Sequence, residues 1–293
     1  MMKQDFQKRD PLESYEENLR LLYKDSVALK EEQDLYFRLY FSSLIMPDMT
    51  FERAAKSVLG GQRRLASIGD TEHFYLDEKA ALCRTLAEHF PQPTVLTRMF
   101  SSPKPSASIA VWEMHPTSSH GYESFSKLFS SVEKITVESF AEVCDTVANQ
   151  TWTFGILPIE NTIDGRLAAF YKMLDRNELK ICAICDMEDS EADVVTRLAL
   201  ISKNLCAFGG DFTRHVEFSL VVSDPTKRAE LLGVVKKIGG VLNRLSSLPL
   251  SYRTNVSVDT MRVSFSNTTC LPFLIYLHLF CEDINILGFY IQI

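Results

Sequence analysis

Two short stretches of the chain carry the residue types that could do chemistry. The first is Phe154-Gly-Ile-Leu-Pro-Ile-Glu-Asn-Thr-Ile-Asp-Gly-Arg166, an apolar run that meets a proline and then a cluster of polar side chains. Asn161, Thr162 and Asp164 are helix-capping types, whose side-chain oxygens satisfy free backbone amides. A helix start with amides to spare, flanked by side-chain donors, is a ready site for a carboxylate. The plainer reading is a cap and nothing more. The second stretch is Asp193-Val-Val-Thr-Arg-Leu-Ala-Leu-Ile201. Thr196 and Arg197 open an apolar strand there, which puts a hydroxyl and a guanidinium at a sheet end. Arginine can grip a carboxylate through two parallel hydrogen bonds, and threonine can donate to a departing hydroxyl. Taken alone, the pair is equally a surface threonine beside a solvated arginine.

Other reactive types read as structure. His115 and His120 flank a polar loop, where a charged imidazole would attract an anion but loop histidines are common. Cys182-Ala-Ile-Cys185 has redox-motif spacing, yet it lies in an apolar strand with no second pair, so buried thiols are expected and no metal site.

The elements that must position these residues follow from periodicity. From Pro11 to Phe90 apolar residues fall at helix spacing, as in Leu35, Leu39, Leu44 and Ile45, and Asp48 or Thr50 is placed to cap Phe51–Leu59 before a break at Gly60-Gly61. Proline and serine at residues 91–106 mark a linker, with a domain boundary near residue 105. Strands then alternate with helices: Ile109–Trp112, a helix Tyr122–Phe129, Ile135–Val137, a helix opened by the Ser139-Phe-Ala-Glu142 capping box, Phe154–Leu157 ended by Pro158, a helix Leu167–Leu174, Leu179–Cys185 and Thr196–Ile201. That order suggests an α/β layer with a mainly parallel sheet. Gly209-Gly210 reads as a hinge. The rest reads βαββαβ, a ferredoxin-like order: Val216–Val222, helix Arg228–Ile238, Val241–Leu245, Val258–Phe265, helix Leu271–Phe280 and Ile286–Ile291. The expected division is an all-helical domain over residues 1–104, an α/β domain over 105–208 and a βαββαβ module over 209–293.

Composition limits the function classes. A net charge of −7 argues against a general nucleic-acid binder, which needs basic excess for phosphates. The apolar run Leu271–Cys281 is too short to cross a bilayer and contains Pro272 and His278. Met1–Asp10 has no signal-peptide character, and the 7 cysteines are odd in number and scattered through apolar segments. A cytoplasmic protein is the expectation.

The segment "GILPIENTIDGRLAAFYKMLDRNELKI" resembles the PIEN region of prephenate dehydratases, and "DVVTRLALIS" is similar to the same family's Thr-Arg-Phe motif. "FSLVVSDPTKRAELLGVVKKIGGVLNRLSSLP" and "INILGFY" resemble the phenylalanine-sensing ACT domain that follows it, and "SIAVWEMHPTSSHGYESFSKLF" has the rhythm of the opening strand and helix. The similarity covers residues 107–291. It implies conversion of prephenate to phenylpyruvate with no cofactor, in a periplasmic-binding-protein-like α/β lobe joined to an ACT module. By position, Thr196 would assist the leaving hydroxyl, and Glu160, Asn161, Thr162 and Arg197 would line the pocket for the dianion. An aromatic amino-acid effector would meet Ala229, Glu230, Leu231, Ser246 and Ser247. The resemblance also implies a homodimer or homotetramer through the ACT-like module. Only residues 175–195 lie between Leu174 and Thr196, where the family places most of a second lobe, so a shortened lobe is expected. The family's glycine-rich opening turn is replaced by Met114-His-Pro-Thr-Ser-Ser-His-Gly-Tyr-Glu-Ser, and its aromatic after Thr-Arg by Leu198. The N-terminal segment holds the place of chorismate mutase in fused members, and Gln62–Ala66 is similar to an arginine-containing mutase helix. A non-catalytic regulatory or amino-acid-binding protein derived from this family is the alternative.

Overall fold

The computed structural model describes residues 11–66, 75–91, 100–101, 106–112, 117–189, 193–210, 212–249, 256–281 and 284–293. The chain divides into two compact units, residues 1–85 and 86–293.

The first unit is helical, with α1 (Pro11–Ser43), α2 (Phe51–Ala66) and α3, which begins at Tyr75 and ends at His89. Thr50 caps α2: its hydroxyl accepts from Arg53 N at 3.4 Å and its carbonyl from Ala54 N at 2.9 Å. The expected break at Gly60-Gly61 is absent, because α2 runs through to Ala66. A Cβ on Gly61 would overlap Leu44 Cδ1, and Tyr40 donates its hydroxyl to the Gly61 carbonyl at 3.3 Å. Glycine here lets α2 lie close against the end of α1 and stops nothing. Leu35 and Leu39 lie within α1, 53% and 57% exposed, whereas Leu44 and Ile45 fall beyond its end at Ser43.

The second unit is built on β-structure. A short parallel pair joins β1 (Phe100–Ser101) to β8 (Leu205–Cys206). The remaining strands are β2 (Ser106–Trp112), β3 (Ser131–Val137), β4 (Phe154–Asn161), β5 (Gly165–Arg166), β6 (Lys180–Asp189), β7 (Val194–Ser202), β9 (Arg214–Val222), β10 (Val241–Pro249), β11 (Ser257–Phe265) and β12 (Ile284–Gln292). The helices are α4 (Thr117–Ser126), α5 (Phe140–Ala148), α6 (Ala168–Arg176), α7 (Pro225–Ile238) and α8 (Asn267–Phe280). One sheet runs β10-β11-β9-β12-β6-β7-β4-β2-β3, with β5 beside β4. Its β9-α7-β10-β11-α8-β12 portion has the expected βαββαβ order.

The sheet is mixed, which corrects the parallel expectation. β2 runs parallel to β3 and β4, but β7 is antiparallel to both β4 and β6. Only a short link joins β6 to β7, whereas a parallel crossover needs about a dozen residues or more. Proline does not end β4 either. Past Gly155 the strand has no pairing to β2, and its register to β7 shifts between Pro158 and Glu160. Open edges and bulges are where a missing N–H is tolerated.

The capping signal at Ser139 holds, and α7 begins three residues before the expected Arg228. In the capping box before α5, Ser139 Oγ accepts from Glu142 N at 3.2 Å. The glutamate reaches back to Glu138 N at 2.8 Å, one residue earlier than the usual box. Asp224 caps α7 through Thr226 N at 2.9 Å, Pro225 opens it, and Gly239 closes it at φ 92°.

Candidate functional site

The β4–β7 ladder brings the two chemistry-bearing stretches together. Asn161 lies opposite Thr196, and Glu160 opposite Arg197. On the other side of β7, Arg197 faces Asp186 of β6.

The turn after Glu160 is a hairpin and not a helix start, which overturns the capping expectation. Asn161 Oδ1 accepts from Ile163 N at 3.0 Å and Asp164 N at 2.5 Å, and its amide donates to Asp164 Oδ2 at 2.9 Å. Gly165, at φ 67°, supplies the left-handed residue that turns the chain into β5. Thr162 ties the turn to β7: its amide donates to the Val195 carbonyl at 3.0 Å and its hydroxyl accepts from Val195 N at 3.2 Å. α6 starts only at Ala168, and Leu167 at its N-cap offers no side-chain hydrogen bond. The Ile163 and Asp164 amides that would have met a carboxylate are already taken.

Strand alternation then separates the site residues. Leu198 and Leu200 pack with Phe125 and Ile156 on the α4 side of the sheet. Ala199 and Ile201 pack with Val143, Tyr171 and Leu174 on the α5–α6 side. Thr196 therefore belongs to the α4 side and Arg197 to the α6 side. Asn161 is placed with Thr196; Glu160 goes with Arg197. His120 is exposed on α4, and His115 lies outside the described residues.

On the α6 side a charge network is closed among protein groups. Arg197 clasps Asp186 through Nε to Oδ1 at 2.8 Å and Nη2 to Oδ2 at 2.9 Å, and reaches Glu160 Oε2 at 3.3 Å. Glu160 also takes Arg262 Nη1 at 3.1 Å and an ion pair from Arg244. Arg262 donates to Glu217 Oε2 at 3.2 Å and to the Tyr171 hydroxyl at 3.4 Å. Glu217 further accepts the Tyr290 hydroxyl at 2.9 Å and pairs with Arg166 Nη2 at 3.5 Å. Arg166 in turn stacks 3.4 Å over the Tyr171 ring.

Arg244 sits on β10, six strand steps along the sheet from β4. A flat sheet would set them about 29 Å apart at about 4.8 Å per strand. Their ion pair means that the sheet curls, so that β10 and β11 lie over the end of β4 and β7.

The network shifts its own titrations. Burial pushes the Glu160 carboxyl up, but Arg262, Arg244 and Arg197 more than offset it and hold the pKa below the ordinary 4.5. The hydrogen bonds that Arg197 donates to Asp186 hold its pKa above its ordinary value. Burial, then Arg262 and Arg197, push His215 down from 6.5, and its ring stacks on Tyr290 at 5.4 Å.

Sequence reasoning missed Asp186, Glu217, Arg244, Arg262, Tyr171 and Tyr290. A signal existed for two of them. Glu217 and Arg262 interrupt apolar strands in Val216-Glu-Phe218 and Met261-Arg-Val263, and they are direct register partners. Charged residues in mid-strand are seldom buried unless paired. The expected effector residues are spread out. Ala229 is exposed on α7, Leu231 is buried, and Glu230 accepts the Tyr276 hydroxyl at 3.1 Å. Ser246 and Ser247 lie on β10 opposite Thr260 and Asp259.

Residues 115–230 match the prephenate dehydratase family model. The match contains Glu160, Asn161, Thr162, Thr196 and Arg197 and reaches into α7. Among solved structures, the chain is similar to prephenate dehydratase from Streptococcus mutans, at 16% identity and TM-score 0.50, over 64% of this chain and 98% of that one. That likeness shows the fold. The chain is also similar to GqqA, described as a novel type of quorum quenching acylase, at 18% identity and TM-score 0.47, over 64% and 96%. Prephenate dehydratase in complex with L-Phe from Arthrobacter aurescens follows at 12% and 0.43, over 63% and 90%. No curated protein matches the chain. Among the described residues no helix is long and apolar enough to cross a membrane.

Proposed function

We propose that the chain converts prephenate to phenylpyruvate, with the reacting end of the substrate at the Asn161–Thr196 pairing. The bond from the ring to its carboxylate breaks, carbon dioxide leaves, and the released electron pair enters the ring as it becomes aromatic. The ring hydroxyl departs as hydroxide, and the Thr196 hydroxyl donates a hydrogen bond to it. Such a site works by positioning and by stabilising charge on the leaving group. The observation that carries this reading is the register that sets Asn161 directly across from Thr196, inside the stretch matched by the family model. Thr162, Glu160 and Arg197 serve as positioning residues: they lock the β4 turn and the β7 end in place through Val195 and Asp186.

A second reading, a non-catalytic regulatory or amino-acid-binding protein derived from the family, is favoured by one observation. The guanidinium expected to grip the substrate is already clasped by Asp186 and Glu160, on the face opposite Thr196. Phenylpyruvate formed from prephenate, followed by absorbance, separates the two. Turnover by wild type that drops about 100-fold or more in Thr196→Ala supports the lyase. No product above that variant leaves the second reading. We also propose that the C-terminal module self-associates along its β10 edge, which exposes Val241, Leu242, Leu245 and Leu248.

A further inference from the structure

All 7 cysteines carry free thiols, and the charge network uses none of them. Cys182 on β6 has Cys185 nearby in sequence, but the Cys185 thiol turns elsewhere, to a hydrogen bond with Ser124. Its partner in space is Cys206 on β8. The Ser202 hydroxyl at the end of β7 reaches both sulfurs, at 3.2 Å from Cys182 Sγ and 3.7 Å from Cys206 Sγ. The Asn204 carbonyl completes the group: it accepts from Ser202 and lies 3.5 Å and 3.8 Å from the same two sulfurs. The two thiols differ in what can reach them. Cys182 is 0% exposed, whereas Cys206 is 5% exposed and, with Ser202, borders a cavity of about 220 Å³ walled by Gln150, Trp152, Thr153 and Lys203. That space is several times the roughly 30 Å³ that a water molecule occupies in the liquid. A reagent of that size reaches one sulfur and not the other.

We propose that Cys206 is a modification site for hydrogen peroxide, and that the sulfenic acid formed there closes on Cys182 as a disulfide. The thiolate is the reactive form of cysteine. The hydrogen bond from Cys182 holds the Cys206 pKa below 9.0 against burial, and Ser202 adds to it. Burial pushes Cys182 well above 9.0 and keeps it a thiol. In the first step the Cys206 sulfur attacks one peroxide oxygen and the O–O bond breaks. The other oxygen leaves as water with the proton that Cys206 gave up. In the second step the Cys182 sulfur attacks the Cys206 sulfur, the S–S bond forms and the S–O bond breaks. That oxygen leaves as a second water, carrying the Cys182 proton. The two sulfurs lose two electrons between them, and the peroxide gains them. Cys182 needs no route to solvent, because its reaction is internal. The β1–β8 pair is a sheet of its own, so the bridge is a covalent tie between it and β6 of the large sheet. Thiol exchange reopens it.

The test is peptide mapping of the full chain after timed exposure to dilute hydrogen peroxide, with remaining thiols blocked by iodoacetamide before digestion. The expected result is a Cys182–Cys206 linked peptide that dithiothreitol reverses. It should form at least tenfold faster than any change at the buried thiols Cys83, Cys144 and Cys270. Cys182→Ser should stop at a sulfenic acid on Cys206, trapped by dimedone, and Cys206→Ser should leave Cys182 unoxidised. Absence of the linked peptide from wild type overturns the proposal, and so does reaction at Cys206 no faster than at the other buried thiols. Oxidation of Cys182 in Cys206→Ser at the wild-type rate overturns it as well. The wild-type map decides by itself if a variant does not fold. None of these outcomes depends on turnover at Thr196, which lies toward the opposite end of β7 from Ser202.

Discussion

At the scale of single residues, the fate of Arg262 decides how the second unit holds together. Its side chain is 8% exposed and faces Glu217, which is 2% exposed. Burial works against its charge, yet Tyr290, Glu217, Tyr171 and Glu160 hold the guanidinium firmly protonated. A buried pair adds little net stability over an apolar one, but removing one partner strands the other charge. Arg262→Met should therefore lower the unfolding free energy by about 3–5 kcal/mol at neutral pH, read from urea titration. The same titration repeated against pH reports on Glu160. Its folded pKa lies below 4.5, so as pH falls the unfolded chain takes up the proton first. The stability it contributes is complete above 4.5 and drains away as pH falls through the folded value. Arg262→Met, which removes the leading charge on Glu160, should flatten that acid limb. A limb of unchanged slope would mean that Arg244 and Arg197 suffice.

At the scale of elements, the critical seam is the parallel pairing of β12 with β6, where the βαββαβ portion joins the rest of the sheet. Gly288 lies opposite Ile181 in that pairing. A Cβ on Gly288 would come within 2.8 Å of Ile181 Cβ and 3.0 Å of the Ile181 carbonyl, neither of which can swing aside. Gly288→Ala should cost about 1–3 kcal/mol of stability by overpacking, measured as a fall in the denaturation midpoint. A neutral outcome would show the seam to be pliant. Much of this level was legible beforehand, and for local reasons. The Ser139 box is decided within one helical turn, whereas the start of α7, expected at Arg228, lies at Pro225 behind an Asp224 cap. The hairpin at Asn161–Gly165 was not legible, because the same polar residues serve a helix start or a turn, and only Gly165's left-handed φ distinguishes them. The run of β4 through Pro158 depended on which neighbours the strand lacks, and nothing local reports that. Gly61 misled for the same reason: a glycine that ends a helix and one that admits a neighbour look alike in one dimension.

At the scale of the whole second unit, the curl of the sheet matters most. It lays β10 and β11 over the end of β4 and β7, and it turns residues remote in sequence, such as Glu160 and Arg262, into partners. Pairings of that separation leave no periodic trace, which is why Thr196 and Asn161 could be named from motifs, while of the network only Glu217 and Arg262 left a sign, as charges in mid-strand. The same curl leaves β10 as an edge with apolar side chains outward, so light scattering in solution should give a dimer or tetramer mass; a monomer would remove the self-association proposal. The central claim, that the Asn161–Thr196 pairing is a reacting centre, is tested most directly by following phenylpyruvate from prephenate with wild type, Thr196→Ser and Thr196→Ala. The expected result is turnover by wild type, largely kept by serine, which retains the hydroxyl, and lost about 100-fold or more in alanine. Equal rates in all three proteins, or none above the uncatalysed reaction, would contradict it.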